Sequence, residues 1–465
     1  MLSAFRSAHC MRWLACLQLL CAAAIVVGCD AHYPLNAPIE RQEMTKGDRL
    51  ERVKADPDNP GDVLVIVTFS GGGTRAASLA YGTLEALRDV KLRIGGRSRT
   101  LLDEVDIINA VSGGSIVAAY YAVHRDKIFR DFESKFLYRD VEGELRNALV
   151  ANLPRLSQSR FSRGDLLAEY FDRELFDGAT YADLARGSMR PFVVINASVL
   201  STGARFPFTQ GQFDLLCSDL GSVSVGRAVA ASAALPPYFS AITLSSYAGN
   251  CGTVSLPGIV AGIDAVGGRG EAVRMQETRT YLDRSRRPYV HLVDGGLIDN
   301  LGLRVAIDFA VEQGGFVELL DALGYYDLTH VVFISVNAET DPNYAIDLSP
   351  DTPNFWQALN ALKLPGRAHS LDLGDQLWSS FERWSAEIKG RRPIPHGSGA
   401  DSAPRFYFID VSLHAIADEN ERNSFNSIPT ALTLDHPTVD RLRAIARRLL
   451  LESPDFKRLV ADLGG

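Results

Sequence analysis

The sequence predicts an α/β fold of three layers, in which a mostly parallel central sheet is flanked by helices. Short apolar runs of strand length alternate along the chain with longer segments of helical periodicity, which is the pattern of a layered α/β protein. The first run, residues 63–69, is almost continuously apolar, as expected of a parallel strand covered on both faces. With 465 residues and 46% hydrophobic content, the chain can bury a core of this size.

Further elements continue the alternation. Predicted strands lie at residues 192–198, 289–293 and 330–336, and predicted helices at residues 163–175, 303–313 and 437–451. Two regions interrupt the pattern. Residues 245–288 are rich in Gly and Ser and then in charge, which predicts an insertion or a long loop. Residues 341–404 are the second region, predicted to be an insertion or a lid-like segment.

The segment 341–404 carries a group of aromatic residues. These are Phe355, Trp356, Trp378, Phe381 and Trp384. Such a group is compatible with a lid or a membrane-contact surface, although a satellite core is the commoner role of grouped aromatics. Residues 405–465 are predicted to complete the main domain, residues 61–340, with a C-terminal strand and helices.

Charge and residue spacing argue against several classes of function. The formal net charge is −8, and no block of basic residues is present, so we predict no nucleic-acid partner. The Cys and His residues do not have the spacing of metal ligands, and we predict neither a metal nor a cofactor. The sequence gives no prediction of the oligomeric state.

The N-terminal residues have the pattern of a secretory signal. Arg6 and Arg12 form a positive region, and the sixteen residues 13–28 that follow carry no charge. This length is short for a membrane-spanning helix and typical of a signal-peptide core. The stretch ends in Val-Val-Gly-Cys29, which resembles the lipobox of bacterial lipoproteins and implies that Cys29 becomes the lipidated first residue. An uncleaved anchor or a plain secretory signal would show a similar pattern.

We therefore predict a signal peptide at residues 1–28 and a tether at residues 29–60. The lipobox resemblance implies a lipid-anchored protein of the bacterial cell envelope, on the periplasmic side of either the inner or the outer membrane. Beyond this region lie two of the six cysteines, Cys217 and Cys251. An even pair in an oxidising compartment is compatible with a disulfide and, almost equally, with two buried free thiols.

Ser112 is the first candidate catalytic residue. It lies between a short apolar run, residues 107–111, and an apolar segment that predicts a helix. A serine on so tight a strand-to-helix turn exposes its hydroxyl above the sheet, and the helix N-terminus favours developing negative charge. Gly113 and Gly114 allow the helix and the strand to approach closely. The pattern predicts a nucleophile elbow, although Ala110 occupies the usual first glycine position and an ordinary strand–loop–helix connection is the simpler alternative.

A glycine-rich turn follows the first predicted strand. Gly71, Gly72 and Gly73 lead into a predicted helix, and such a turn exposes backbone N–H groups to an anion. A P-loop is excluded because no Gly-Lys-Ser/Thr follows, and a dinucleotide motif is excluded because the glycines are contiguous. We predict an oxyanion-binding loop of the kind that acyl transfer requires, with a merely tight turn as the alternative.

Asp294 is the third candidate. It follows an apolar strand and precedes Gly295 and Gly296, which places it at the carboxyl end of that strand, where α/β proteins build their sites. A carboxylate there can act as general base for a serine without a histidine. Capping of the next helix is the commoner use of Asp. His291, on the opposite face of the same strand, is predicted to be a packed histidine.

Together and in this order, these residues resemble the patatin-like phospholipase family. The loop from Gly71 to Arg75, the Ser112 elbow and the stretch Asp294-Gly295-Gly296 match its three signature blocks. Residues 230–239 and 196–205 resemble two further stretches of the family. Three motifs in a consistent order are far more specific than any one of them.

The resemblance implies a Ser–Asp dyad, in which Ser112 attacks an ester carbonyl and Asp294 takes its proton. It also implies that the amides of Gly71, Gly72 and Gly73 hold the oxyanion, with Arg75 nearby. The expected protein is a membrane-anchored lipid acyl hydrolase, of phospholipase A or lysophospholipase type, that acts on membrane lipid. A catalytically silent lipid-binding or scaffold lipoprotein with the same fold is the alternative.

The sequence departs from the family pattern at four positions within the matching region, residues 61–310. Ser70 replaces an Asp that often precedes the glycines, Ala76 and Ala110 replace glycines, and Gly302 stands where Pro is common. Neither member of the implied dyad is changed. We interpret these departures as subfamily variation that affects the oxyanion loop rather than the nucleophile.

Overall fold

The structure is a computed structural model, and it describes residues 32–50, 53, 61–94, 97–187, 190–252, 276–341, 347, 350–352, 364–391 and 404–464. The predicted signal peptide, Cys29, Phe355 and Trp356 lie outside the described residues, as does much of the predicted insertion at 245–288.

The described elements alternate between strands and helices. The strands are β1 (Ala37–Pro38), β2 (Val63–Phe69), β3 (Lys91–Ile94), β4 (Arg97–Thr100), β5 (Val105–Val111), β6 (Phe192–Val199), β7 (Arg205–Pro207), β8 (Ser218–Asp219), β9 (Ile242–Ser245), β10 (Tyr289–Asp294), β11 (His330–Asn337) and β12 (Arg405–Ser412). The α-helices are α1 (Gly73–Asp89), α2 (Gly113–His124), α3 (Ile128–Phe132), α4 (Val141–Ala151), α5 (Leu153–Leu156), α6 (Arg163–Glu174), α7 (Tyr181–Arg186), α8 (Gln210–Asp214), α9 (Val225–Ser232), α10 (Arg304–Gln313), α11 (Phe316–Leu323), α12 (Leu364–Arg391), α13 (Glu419–Asn426), α14 (His436–Glu452) and α15 (Pro454–Asp462).

An eight-stranded sheet forms the centre of the described part of the chain. Its strand order is β12-β11-β2-β5-β6-β10-β9, with β7 paired to β6. The five strands from β12 to β6 are parallel, whereas β10 is antiparallel to β6 and β9 is antiparallel to β10. The predicted α/β fold with a mostly parallel sheet is therefore confirmed, and each strand and helix predicted above lies within two residues of its observed bounds.

Side-chain alternation along the strands divides the core into two clusters. In β2, Val63, Val65 and Val67 contribute to one cluster, and Leu64 and Ile66 contribute to the other. This follows from the period of two in a strand, which turns successive side chains to opposite faces. Helices α1, α2, α9 and α14 cover the first face, and α10, α11 and α12 cover the second, which makes three layers.

The aromatic residues of α12 belong to the second core cluster. Phe381 and Trp384 are buried, with Trp384 stacked on Phe316 at 4.3 Å between ring centroids and Phe381 at 5.1 Å from Phe333 of β11. Trp378 is 51% exposed. Over its described residues, the predicted lid-like segment is thus part of the second helical layer, because the apolar face of the sheet must be covered. The satellite-core interpretation fits these residues.

The described part of the predicted tether is packed on the domain. Strand β1 pairs with β8, and the buried Asn36 side chain donates to Ser218 Oγ at 2.7 Å. Arg49 Nη2 lies 2.6 Å from Asp214 Oδ2, with both side chains almost fully buried. The tether prediction is corrected for residues 32–50, since these contacts fix the segment to the domain. None of the described helices is long and apolar enough to cross a membrane.

Cys217 and Cys251 are joined by a disulfide across a sequence separation of 34 residues. Of the two alternatives left open by the sequence, the structure selects the disulfide. The bond links the segment before β8 to the loop after β9, and the Cys217 carbonyl accepts a hydrogen bond from Ile39 N at 2.9 Å. It therefore ties together three segments at one edge of the domain.

Replacing both cysteines by serine is expected to lower the free energy of unfolding by about 3–4 kcal/mol, because the disulfide restricts a loop of 34 residues in the unfolded chain. Urea unfolding of the oxidised protein and of the double variant measures the difference. The oxidised protein unfolded with a reductant present is the matched control and should lose the same amount. A loss below about 1 kcal/mol in both samples would contradict the disulfide.

Candidate active site

Ser112 alone links β5 to α2. Its backbone has φ 51° and ψ −119°, a combination that non-glycine residues rarely adopt and that surrounding structure must hold in place. The glycines that follow are required by close approach. A Cβ on Gly113 would lie 2.0 Å from the carbonyl oxygen of Gly73, and a Cβ on Gly114 would lie 2.6 Å from the Phe69 Cβ. The turn has the geometry of a nucleophile elbow, and the methyl of Ala110 is accommodated in the core.

Asp294 ends strand β10 beside the elbow. Ser112 Oγ donates a hydrogen bond to Asp294 Oδ2 at 2.9 Å, and Gly296 N donates to the other carboxylate oxygen at 2.8 Å. Both side chains are 7% exposed. The second hydrogen bond also makes Asp294 the N-cap of the short helical turn that follows. Asp294 therefore both caps this turn and accepts a hydrogen bond from Ser112.

Asp294 lies at the carboxyl end of β10, as predicted. The strand itself runs antiparallel to β6, with Asp294 opposite Ala197. On the other side of β6, Val111 pairs with Asn196. The strand therefore approaches from beyond the carboxyl edge of the parallel strands and stops level with Ser112. The pair meets because the two strands end at the same height, not because they run in the same direction.

His291 is not a packed histidine. Its side chain is exposed, and its Nδ1 lies 3.0 Å from Thr243 Oγ1 on the neighbouring strand. The prediction failed because β9 and β10 form the edge of the sheet, where one face of the strand is left open to solvent.

Ser232 holds the backbone of the elbow, and the sequence did not single it out. Its Oγ accepts a hydrogen bond from Ser112 N at 2.8 Å and donates to Asn196 O at 2.6 Å. Two residues later, Ala234 O accepts a hydrogen bond from Asp294 N at 3.1 Å. The end of α9 thus orients both members of the pair. The signal was the stretch 230–239, which resembled a family block but carried no assigned role.

The three loop glycines are not equivalent. Gly71 N donates to Asn300 O at 3.1 Å, and Thr74 N donates to Ala431 O at 2.8 Å. Between them, the amides of Gly72 and Gly73 have no hydrogen-bond acceptor among the described residues. Free amides are usual in the first turn of a helix, and here they lie at the N-terminus of α1. Of the three predicted donors, two remain available to an anion.

Arg75 lies beside the glycine loop and binds the C-terminal part of the chain; a Cβ on Gly72 would lie 3.5 Å from its Nη2. Its Nε donates to Ala338 O at 2.9 Å, and its guanidinium also donates to Ile428 O and to Thr430 Oγ1. Burial lowers the pKa of Arg75 to about 10, an effect that Glu339 opposes. The side chain therefore fastens the glycine loop to the C-terminal part of the chain through three of its five N–H groups.

Asn300 lies against the glycine loop. Its carbonyl accepts the Gly71 amide, and its Nδ2 donates to Glu339 Oε1 at 2.9 Å. A Cβ on Gly71 or on Gly296 would lie 2.5 or 2.6 Å from Asn300 Oδ1, so a larger residue at either position would displace the Asn300 side chain. Within the described part of the chain, no group of three His, Cys, Asp or Glu side chains is placed to hold a metal ion.

The fold and the site together define a class: a three-layer α/β protein with a serine on a strand-to-helix elbow and an aspartate hydrogen-bonded to its hydroxyl. A family model described as patatin-like phospholipase matches residues 67–307, slightly more than half of the 465 residues. The chain belongs to this family, as its motifs predicted. Membership supports a lipid hydrolase activity.

The similar solved structures are distant. Human GIVD cytosolic phospholipase A2 is 13% identical with a TM-score of 0.41, covering 89% of this chain and 64% of that chain. Its complex with methyl gamma-linolenyl fluorophosphonate is 13% identical with a TM-score of 0.39, covering 89% and 61%. This chain therefore spans less than two thirds of the length of those proteins. A comparison with curated proteins gave no match.

Gly113→Ala is expected to lower the free energy of unfolding by about 1–3 kcal/mol, because its methyl group would overlap the Gly73 carbonyl and push the elbow from the glycine loop. Gly374→Ala in α12 is the matched control, since a Cβ there meets nothing within 4 Å and should stabilise the helix by up to about 1 kcal/mol. Urea unfolding measures both. Equal effects of the two substitutions would show that Gly113 is not constrained by this contact.

Proposed function

We propose that this protein is a lipid acyl hydrolase of phospholipase A or lysophospholipase type, held at a membrane by a lipid on Cys29. The observation that carries the catalytic part is the 2.9 Å hydrogen bond from Ser112 Oγ to Asp294 Oδ2. It lies at an elbow next to the amides of Gly72 and Gly73, which have no hydrogen-bond acceptor among the described residues, in a member of a phospholipase family. The sixteen uncharged residues followed by Cys29 carry the anchoring part.

In the first step, Ser112 Oγ bonds to the carbonyl carbon of the ester while its proton passes to Asp294 Oδ2. A serine hydroxyl is a weak nucleophile, so a base at hydrogen-bond distance is what activates it. Gly296 N donates to the second carboxylate oxygen, which keeps Oδ2 directed at the serine. The electron pair of the carbonyl bond moves to the carbonyl oxygen, which becomes an oxyanion.

The amides of Gly72 and Gly73 are the proposed donors to this oxyanion. They lie at the positive end of α1, whose dipole favours negative charge. Amide donors that are already oriented lower the barrier because no reorganisation is needed as the charge develops. Gly71, which the sequence had grouped with them, instead donates to Asn300 and positions the loop.

Collapse of the oxyanion breaks the bond to the leaving alcohol, which takes the proton from Asp294. The acyl group remains on Ser112. A water molecule then attacks this acyl ester and gives a proton to Asp294. The second collapse releases the fatty acid, and Ser112 regains its proton. One carboxylate thus serves as base and acid in both halves.

Ser112→Ala and Asp294→Asn are each expected to lower the turnover of a p-nitrophenyl acyl ester by about 10³-fold or more, because one removes the nucleophile and the other its base. Both substitutions nearly preserve side-chain volume, so thermal unfolding should change little.

Ser78→Ala is the matched control for the loss of a buried hydroxyl. Its Oγ donates to Thr74 O at 2.8 Å within α1, not to Ser112 or Asp294, so activity should stay within about twofold. Substantial turnover by either dyad variant would refute the dyad.

For the anchor, Cys29→Ser is expected to leave an unprocessed precursor that stays membrane-bound through its apolar signal. Stable anchoring needs several acyl chains, and in this proposal Cys29 carries them. Replacing residues 1–29 by a plain secretory signal should therefore release a soluble enzyme with preserved ester hydrolysis. Mass spectrometry of the native N-terminus tests lipidation, and fractionation tests release. An unmodified residue 29 would disprove the anchor.

A further inference from the structure

A cleft of about 230 Å³ lies at the edge of the sheet formed by β9 and β10. Its lining includes His32, Tyr33, Arg160, Tyr247, Arg284 and Tyr289. Neither Ser112 nor any residue of the glycine loop contributes to it. It opens at the first rung of the β9–β10 pair, where Tyr289 is opposite Ser245.

Two arginines line the cleft. Arg160 and Arg284 are exposed, and neither forms an ion pair with an acidic residue in the described part of the chain. Arg160 Nη1 lies 3.1 Å from His32 Nε2, and the Arg284 guanidinium lies 5.8 Å from the centroid of the Tyr247 ring. No acidic residue is among those lining the cleft.

Two carboxylates near the lining residues have other partners. Asp283, the neighbour of Arg284 in sequence, accepts hydrogen bonds from Ser285 and lies 3.9 Å from Arg286. Asp165, which influences Tyr33, is paired with the buried Arg227 at 2.8 Å. Among the described residues, the lining of the cleft thus carries two arginines and no carboxylate.

Its walls are fixed by contacts outside the cleft. Tyr247 donates from its backbone amide to Leu216 O and from its hydroxyl to Asn36 O, both at 2.8 Å. Ser246 N donates to Pro288 O at 2.9 Å, and the disulfide follows Leu216 directly in sequence. A ligand would thus meet a preformed site.

The cleft and Ser112 both lie at the carboxyl edge of the parallel strands. Strand β10 begins at Tyr289, beyond the carboxyl edge of the parallel strands, and runs inward to Asp294. Five residue steps separate the two, or about 17 Å along the strand. His32 also follows Cys29 by three residues, a chain length of at most about 11 Å.

We propose that this cleft binds the phosphate group of an anionic membrane lipid and so seats the active-site side of the protein on the lipid surface. Guanidinium groups match the geometry of phosphate oxygens, and tyrosines are favoured where one end of a site is apolar and the other is wet. The part of this inference that concerns substrate access rests on the proposed function, whereas lipid binding itself does not.

Binding is tested on the Ser112→Ala background, so that no lipid is hydrolysed. The full chain in nonionic detergent is titrated with mixed micelles that contain phosphatidylglycerol with a fluorescent tail, or phosphatidylcholine with the same tail, and anisotropy reports binding. Adding Arg160→Gln and Arg284→Gln is expected to weaken binding of the anionic lipid about tenfold to thirtyfold, because two positive charges that attract the anionic surface are removed. Arg284→Gln alone should weaken binding of the anionic lipid about fivefold. This single variant tests the site if the double substitution unfolds the protein.

Arg130→Gln with Arg146→Gln is the matched control. Both arginines are exposed, neither forms an ion pair in the described residues, and the pair removes the same charge. Binding should stay within about twofold of the parent. Equal losses from both pairs, unchanged binding after loss of Arg160 and Arg284, or equal affinity for phosphatidylcholine would each overturn the site.

Competition identifies the source of the phosphate. Displacement of the labelled lipid by glycerol 3-phosphate, but not by the same concentration of inorganic phosphate, supports a lipid headgroup. Equal displacement by inorganic phosphate would overturn the lipid assignment in favour of a free anion. An otherwise wild-type protein without turnover of a soluble ester would refute the hydrolase proposal and leave this binding result unaffected.

Discussion

The backbone of the elbow and the backbone of the glycine loop lie in direct contact, with no side chain between them. A Cβ on Gly113 would overlap the carbonyl of Gly73, and a Cβ on Gly71 would lie 3.2 Å from that of Ser112. Only glycine permits two strand-to-helix turns to meet this closely. The contact sets the distance between the Ser112 hydroxyl and the free amides at the N-terminus of α1, and the rest of the site is built around it.

The pairing of Ser112 with Asp294 depends on elements that are remote in sequence. Ser232 at the end of α9 holds the Ser112 amide, and Ala234 accepts the Asp294 amide. Because the same short segment contacts both backbones, the two side chains are positioned relative to each other rather than separately. A strained backbone at Ser112 can persist under these conditions, since the surrounding hydrogen bonds over-determine it.

The C-terminal part of the chain, beyond the region matched by the family model, supports the glycine loop. Thr74 donates to Ala431, and Arg75 donates to the carbonyls of Ala338 and Ile428. Helix α14 packs so closely on α1 that a Cβ on Gly82 would lie 2.6 Å from the Arg443 carbonyl oxygen. These buried polar contacts therefore fix the position of the glycine loop beside the elbow.

The sequence by itself determined the layered fold, the elbow, the glycine-rich turn and the identity of the residues gathered there, because these depend on local periodicity and on glycine at close contacts. It could not give the direction of β10, the role of Ser232, the partners of Arg75 in the C-terminal part of the chain, or the acceptor that engages the Gly71 amide. It also assigned residues 32–50 to a tether and His291 to the core. Each of these depends on which remote segment lies alongside: β6 beside β10, the end of α9 beneath Ser112, and Asn300 beside Gly71. Local pattern specifies which groups a segment offers, but only tertiary packing decides which of those groups are already satisfied by a neighbour and which remain free for chemistry.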